Sequence, residues 1–201
     1  MYGMVNQAIL EYICEVYGDD SRAAVLAAAG SETLQFESMT QYPDEVSYAL
    51  IGAAAEFLGQ PAEAILGKLG EYWVGFALRS DYGDLLRMAG QSLPEILQNL
   101  NQLHTRVGQA FADLKPPSFW CDEVTEKSLV LYYASERVGL EPMVVGLVHG
   151  LGRLVDVATT VTPTATEPGE PSRFHVLFVA RSATRGVPFQ QPAPAESSGA
   201  A

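Results

Sequence analysis

Cysteine is nearly absent from this chain, with only Cys14 and Cys121 in 201 residues. Two isolated thiols exclude a disulfide framework and a structural zinc site, and leave two reduced side chains as the expectation. Long apolar runs are missing too. No stretch reaches the roughly 18 residues of a membrane-spanning helix. Glu11 and Glu15 stand where a secretory signal would carry basic and then apolar residues. The expectation is a cytoplasmic protein without membrane insertion. Basic residues are scarce, 12 against 24 acidic for a formal charge of -12, so nucleic acid and anionic membrane surfaces are repelled and excluded as partners. No internal repeat is evident.

What is present fits a globular α+β fold, with 48% hydrophobic residues in a length suited to one domain or two packed subdomains. Val5, Ile9, Ile13 and Val16 recur at helical spacing over residues 2 to 17. Further helices are expected over 22 to 29, over 44 to 58 between Pro43 and Gly59, and from Pro61 to about 77 with Ile65, Leu69, Trp73 and Phe76. Ser92-Leu93-Pro94-Glu95 is a capping-box pattern that opens a long helix. Its stripe is Leu93, Ile96, Leu97, Leu100, Leu103, Val107, Phe111 and Leu114, and His104 lies on it, pointing at the core. After Pro116-Pro117 the texture changes. Lys127 to Ser135 reads as a strand, a helix runs from about Glu141 to Val155, and 155 to 162 with 173 to 181 suggest an antiparallel hairpin. From 182 to 201 the chain is Pro, Ala, Gly, Ser and Gln, a composition expected to be disordered.

Two groups of residues carry chemistry. His104 offers an imidazole, the commonest side-chain metal ligand, from an apolar helix face. Downstream, Tyr133-Ala134-Ser135-Glu136-Arg137 places a phenol, a hydroxyl and a guanidinium at alternate positions, which share one side of an extended segment. Such a row suits a ligand with two carboxylates, because guanidinium grips carboxylate bidentately and hydroxyls satisfy the remaining lone pairs. Porphyrin propionates are such a pair. Met143, Gly146, Leu147 and Gly150 form one helical face, apolar with two gaps that admit either a flat ligand or a packed helix.

The chain resembles the heme-nitric oxide/oxygen binding (H-NOX) family, which includes the heme domain of soluble guanylate cyclase, and within it the stand-alone cyanobacterial type. The resemblance covers roughly residues 1 to 180. It rests on Met1-Tyr2-Gly3-Met4-Val5-Asn6, Gly70-Glu71-Tyr72-Trp73-Val74, Leu100-Asn101-Gln102-Leu103-His104, Pro116-Pro117, the Tyr-x-Ser-x-Arg pentad, and Pro142 to Gly150. It implies an H-NOX fold over 1-181, with a helical subdomain (1-62) packed on an α+β subdomain (63-181) of helices and an antiparallel sheet, and heme between them. It implies heme b with His104 as the ligand of its iron, Tyr133, Ser135 and Arg137 on the propionates, and Pro117 against the porphyrin. Val5, Ile9, Trp73, Met143 and Leu147 would line the distal side.

The function implied is that of a gas sensor, not an enzyme. Oxygen-binding relatives place a tyrosine donor where this chain has Met143, and methionine cannot donate. NO and CO are therefore the expected ligands, with oxygen discriminated against; an indole N–H from Trp73 is the one donor that could alter this. NO would weaken the bond from iron to His104 and shift the N-terminal helices, a ligand-biased switch. Output is expected on a separate signalling protein such as a histidine kinase, diguanylate cyclase or guanylate cyclase. Two other readings are a heme enzyme consuming NO or peroxide, and an iron-free module for an apolar small molecule. The first lacks the distal acid or base that peroxide chemistry wants.

Overall fold

The structure, a computed structural model, describes residues 1–31, 35–110, 113–167 and 169–181. Phe111 of the expected stripe and the expected tail from 182 lie outside the described residues. Contacts divide the chain into two compact units, 1–69 and 70–181, with the division inside one helix, between Leu69 and Gly70.

The first unit is helical. Its elements are α1 (Gly3–Tyr17), α2 (Asp19–Ala28), α3 (Asp44–Leu58) and the first two turns of α4 (Ala62–Arg79). Helix α3 has locally encoded ends. Pro43 precedes it, Asp44 and Glu45 complement the dipole of its first turn, and Gly59 closes it in the left-handed conformation. Ile9, Ile13, Val25 and Leu50 are each fully buried, which accounts for the apolar spacing along α1.

The second unit continues α4 and adds α5 (Gly83–Arg87), α6 (Leu93–Gly108), β1 (Ser118–Asp122), β2 (Ser128–Ala134), α7 (Glu141–Leu154), β3 (Val157–Thr164) and β4 (Ser172–Ala180). The strands form one antiparallel sheet in the order β1-β2-β4-β3. The expected hairpin is β3–β4, joined to β2 through β4. Helix α5 and strand β1, five residues each, are additions to what periodicity showed.

The expected cap on α6 forms: the Ser92 hydroxyl accepts from the Glu95 amide at 3.4 Å, and Glu95 Oε2 accepts from the Gln91 amide at 2.8 Å. On the sheet, Phe119, Leu129, Leu131, Tyr133, Phe174, Val176 and Phe178 share one face and join Leu93, Ile96, Leu97 and Leu100 of α6 and Val144, Val148 and Leu151 of α7 in a single core. Burial along α6 is complete to Leu100, then falls to partial at Leu103, His104 and Val107. His104 therefore sits where the core thins, a place a residue needed only for packing would not favour.

Candidate functional site

His104 is half-buried, with its ring centroid 6.1 Å from that of Phe119 on β1. Phe119 is 3% exposed and its ring lies 5.4 Å from Tyr133, its cross-strand partner on β2. Burial pushes the imidazole below its usual pKa, opposed in smaller part by the nearby Pro117 carbonyl. His104 is thus neutral at pH 7, the state in which a ring nitrogen can ligate. Although the Pro117 carbonyl favours the protonated ring, no hydrogen-bond geometry closes on Nδ1, which is buried without a partner. A buried polar atom left unpaired costs roughly 1–3 kcal/mol unless another role accounts for it.

The pentad is built differently from an extended row. Strand β2 ends at Ala134, so alternation governs Tyr133 alone. Beyond it the Arg137 amide donates to the Ser135 hydroxyl at 3.0 Å, a local side-chain bond that competes with the ladder and bends the backbone. Arg137 Nη1 donates to the Lys115 carbonyl at 2.8 Å, and Lys115 Nζ pairs with Glu136 at 3.1 Å. Lys115 is two residues before Pro117, whose carbonyl lies beside His104. The bend therefore gathers Ser135 and Arg137 to the same chain segment that closes on the histidine. Pro117, Tyr133, Ser135, Arg137 and His104 are brought into one neighbourhood, although not by strand alternation.

Met143 and Leu147 are half-buried on α7, where Gly70 of α4 crosses them. A Cβ on Gly70 would lie 2.1 Å from the Met143 carbonyl oxygen and 2.8 Å from the Leu147 amide. One α7 turn further on, a Cβ on Gly150 would meet Val74 Cγ2 at 2.7 Å. The Gly150 gap, left open by the sequence to a flat ligand or a helix, is filled by α4. Glu71 and Arg153 bridge the same pair of helices at 2.5 Å. Trp73 is half-buried with its ring 5.6 Å from Phe76. Val5 and Ile9 lie on α1 in the first unit, half-buried and 1% exposed respectively.

The other histidines and the two cysteines differ in their surroundings. His149 Nδ1 shares a hydrogen bond with the Thr159 hydroxyl at 2.7 Å, and burial lowers its pKa. His175 is exposed on β4. Burial pushes the Cys121 thiol up to about 11, leaving it protonated and unreactive at neutral pH. Cys14 is raised chiefly by its hydrogen bond to Asp19, at 2.8 Å. Sequence reasoning missed Phe119 and Asn101. The Asn101 side chain donates to the Phe119 carbonyl at 2.7 Å and accepts from its amide at 2.9 Å. The clue was a short Phe-Trp alternation directly after Pro116-Pro117.

Among the described residues the chain has seven helices and a four-stranded antiparallel sheet, and its second unit holds a neutral imidazole with an unpaired Nδ1 near a hydroxyl and guanidinium cluster. That defines a class, an α+β domain equipped to hold a metal-centred acidic cofactor. The sequence model described as Haem-NO-binding matches residues 2–162; the chain belongs to this family, the H-NOX heme-binding domains of gas sensors. It is 29% identical over 153 residues to soluble guanylate cyclase gcy-31 and 31% identical over 156 residues to gcy-37, both of Caenorhabditis elegans. Those matches take 76% of this chain and 22% of each relative. Over 144 residues it is 31% identical to guanylate cyclase soluble subunit beta-2 of Rattus norvegicus, covering 68% of this chain and 21% of the relative. The chain thus spans about a fifth of these relatives' length. In fold it is similar to the Fe(II) unliganded H-NOX protein from K. algicida (TM-score 0.76, 18% identity, 94% of this chain and 100% of that one). It is similar also to an H-NOX protein from S. oneidensis in the Fe(II)NO ligation state (TM-score 0.77, 12% identity, 90% and 100%). No described helix is long and apolar enough to cross a membrane.

Proposed function

We propose that the chain is a heme-based sensor of nitric oxide and carbon monoxide that discriminates against oxygen and signals by conformational change to an output partner, such as a histidine kinase, diguanylate cyclase or guanylate cyclase. The observation that carries this reading is the unpartnered buried nitrogen of His104. As a plain core histidine the unpaired Nδ1 would be a cost without return; with the iron on the other ring nitrogen, Nδ1 would carry the proton, and the Pro117 carbonyl beside the ring would be the acceptor that orients it. The residues present fit heme b. His104 would hold the iron, with Ser135, Arg137 and Tyr133 on the propionates and Pro117 against the ring. Bound there, heme supplies one open coordination position for a diatomic ligand.

Selectivity follows from the side chains of the distal wall, to which we assign Val5, Ile9, Trp73, Met143 and Leu147. Four of them have no hydrogen to donate, and the indole of Trp73 packs beside Phe76. Without a donor, the polar stabilisation that oxygen requires on ferrous heme is lacking, whereas nitric oxide does not depend on it. Met143→Tyr is the test. We expect the unsubstituted ferrous protein to keep its unliganded absorption spectrum in air, and the variant to gain oxygen affinity by roughly tenfold or more, the worth of one good hydrogen bond in a dry site. A variant that still ignores oxygen removes Met143 from the wall. The same wall lacks the acid or base of a peroxide-consuming enzyme.

A further inference from the structure

The Asn101 side chain makes two hydrogen bonds to one residue, Phe119, and both are backbone bonds. Antiparallel pairing gives them a direction. A strand residue turns its N–H and C=O to the same side, alternately toward one neighbour and toward the other. Among the described residues strand β1 is an edge strand, with β2 its only neighbour in the sheet. The amide and carbonyl of Phe119 meet Asn101, so they face away from β2, and Phe119 with Tyr133 forms a non-hydrogen-bonded pair. In such pairs side chains approach more closely, which agrees with the 5.4 Å between the two rings. A primary amide has one acceptor and one donor group in the geometry of a peptide, so Asn101 stands in for the missing neighbouring strand at this position and covers part of the edge.

Asn101 lies one helical turn before His104, on the adjacent face of α6. The Phe119 ring that the clip holds is the one beside His104. We propose that Asn101 is a positioning residue, an amide clip that fixes the register of α6 on the sheet edge and thereby sets the orientation of the His104 imidazole through Phe119. The inference rests on the reading of His104 as the heme ligand. Only an amide serves. Aspartate would still accept from the Phe119 N–H, but it would set a second acceptor against the Phe119 carbonyl, and alanine breaks both bonds. Asn99 is the internal control. It sits on the same helix and donates to the Ala89 carbonyl at 2.7 Å, away from β1.

The test uses Asn101→Ala, Asn101→Asp and Asn99→Ala with two readouts. In the heme-free proteins, hydrogen exchange of the Phe119 amide should quicken roughly tenfold in Asn101→Ala and stay unchanged in Asn99→Ala. In the ferrous, ligand-free holoproteins, resonance Raman should show the histidine–iron stretching band displaced in both Asn101 variants and unmoved in Asn99→Ala. A band at the unsubstituted frequency in Asn101→Ala, with Phe119 exchange accelerated, overturns the inference: the clip would hold the strand and not the ligand. If the unsubstituted protein shows no histidine–iron band at all, the assignment of His104 is what fails. Should Asn101→Ala not fold, Asn101→Asp, which keeps one of the two bonds, gives the same reading.

Discussion

Gly70→Ala is expected to destabilise the protein by about 2 kcal/mol net, because the added methyl would stand 2.1 Å from the Met143 carbonyl oxygen and 2.8 Å from the Leu147 amide. Both obstacles are backbone, so no side chain can swing aside and α4 must separate from α7. We put the steric cost at about 3 kcal/mol and offset it by about 1 kcal/mol for the better helix propensity of alanine. For a chain of this size the net loss lowers Tm by roughly 4–8 °C. Gly52→Ala, in α3, is the same chemical change with the opposite sign. Nothing lies within 4 Å of a Cβ there and the site is exposed, so the propensity gain stands alone, up to about 1 kcal/mol of stabilisation. Thermal denaturation of both variants is the check; equal effects would mean that α4 and α7 do not cross as closely as the structure has them. Since Met143 and Leu147 carry our distal wall, Gly70→Ala should also widen it, with a measurable change in CO binding rate.

His104→Gly should separate cofactor binding from folding. Losing a residue that merely orients a metal ligand costs roughly 10–100-fold in affinity, so losing the ligand itself should reduce heme retention by roughly a hundredfold or more. Imidazole added to the medium should restore part of it, since the cavity left has the shape of the missing ring. The heme-free protein should respond differently. Nδ1 of His104 is buried without a partner, so its removal relieves a penalty that offsets the packing lost; we expect a change in heme-free stability within about 1 kcal/mol. A structural histidine would give the reverse pattern, a loss of stability with heme affinity intact. Absorbance titration with heme, run beside a melting curve, distinguishes the two.

How much of this could be read from residues alone varies with how local the cause is. Helix α3 was expected over 44 to 58 and is found at Asp44–Leu58, because Pro43 and Gly59 encode its ends without help from the rest of the fold. The Ser92 cap on α6 was legible for the same reason. Strand β1 was not. Five residues at a sheet edge carry little periodic signal, and what holds them includes an asparagine 18 positions earlier in the chain. The pentad shows a subtler limit. The grouping of Tyr133, Ser135 and Arg137 was visible in sequence, but the alternation invoked for it stops at Ala134, because the Ser135 hydroxyl takes the Arg137 amide for itself. Gly150 shows a third: a glycine on an apolar face signals close approach without saying of what, and only the fold identifies Val74 as the neighbour. His104 lay on a recognisable stripe, yet the property that singles it out, a buried nitrogen with no partner, is tertiary.

The absorption spectrum of the purified, dithionite-reduced protein, recorded without ligand, in air and with nitric oxide, tests the central claim most directly. We predict the band of a five-coordinate ferrous heme, unchanged by air and shifted by nitric oxide. A stable oxygen complex would contradict the donor-poor wall and point first to Trp73; the absence of any heme band after reconstitution would contradict the assignment of His104 and favour a binding module without iron.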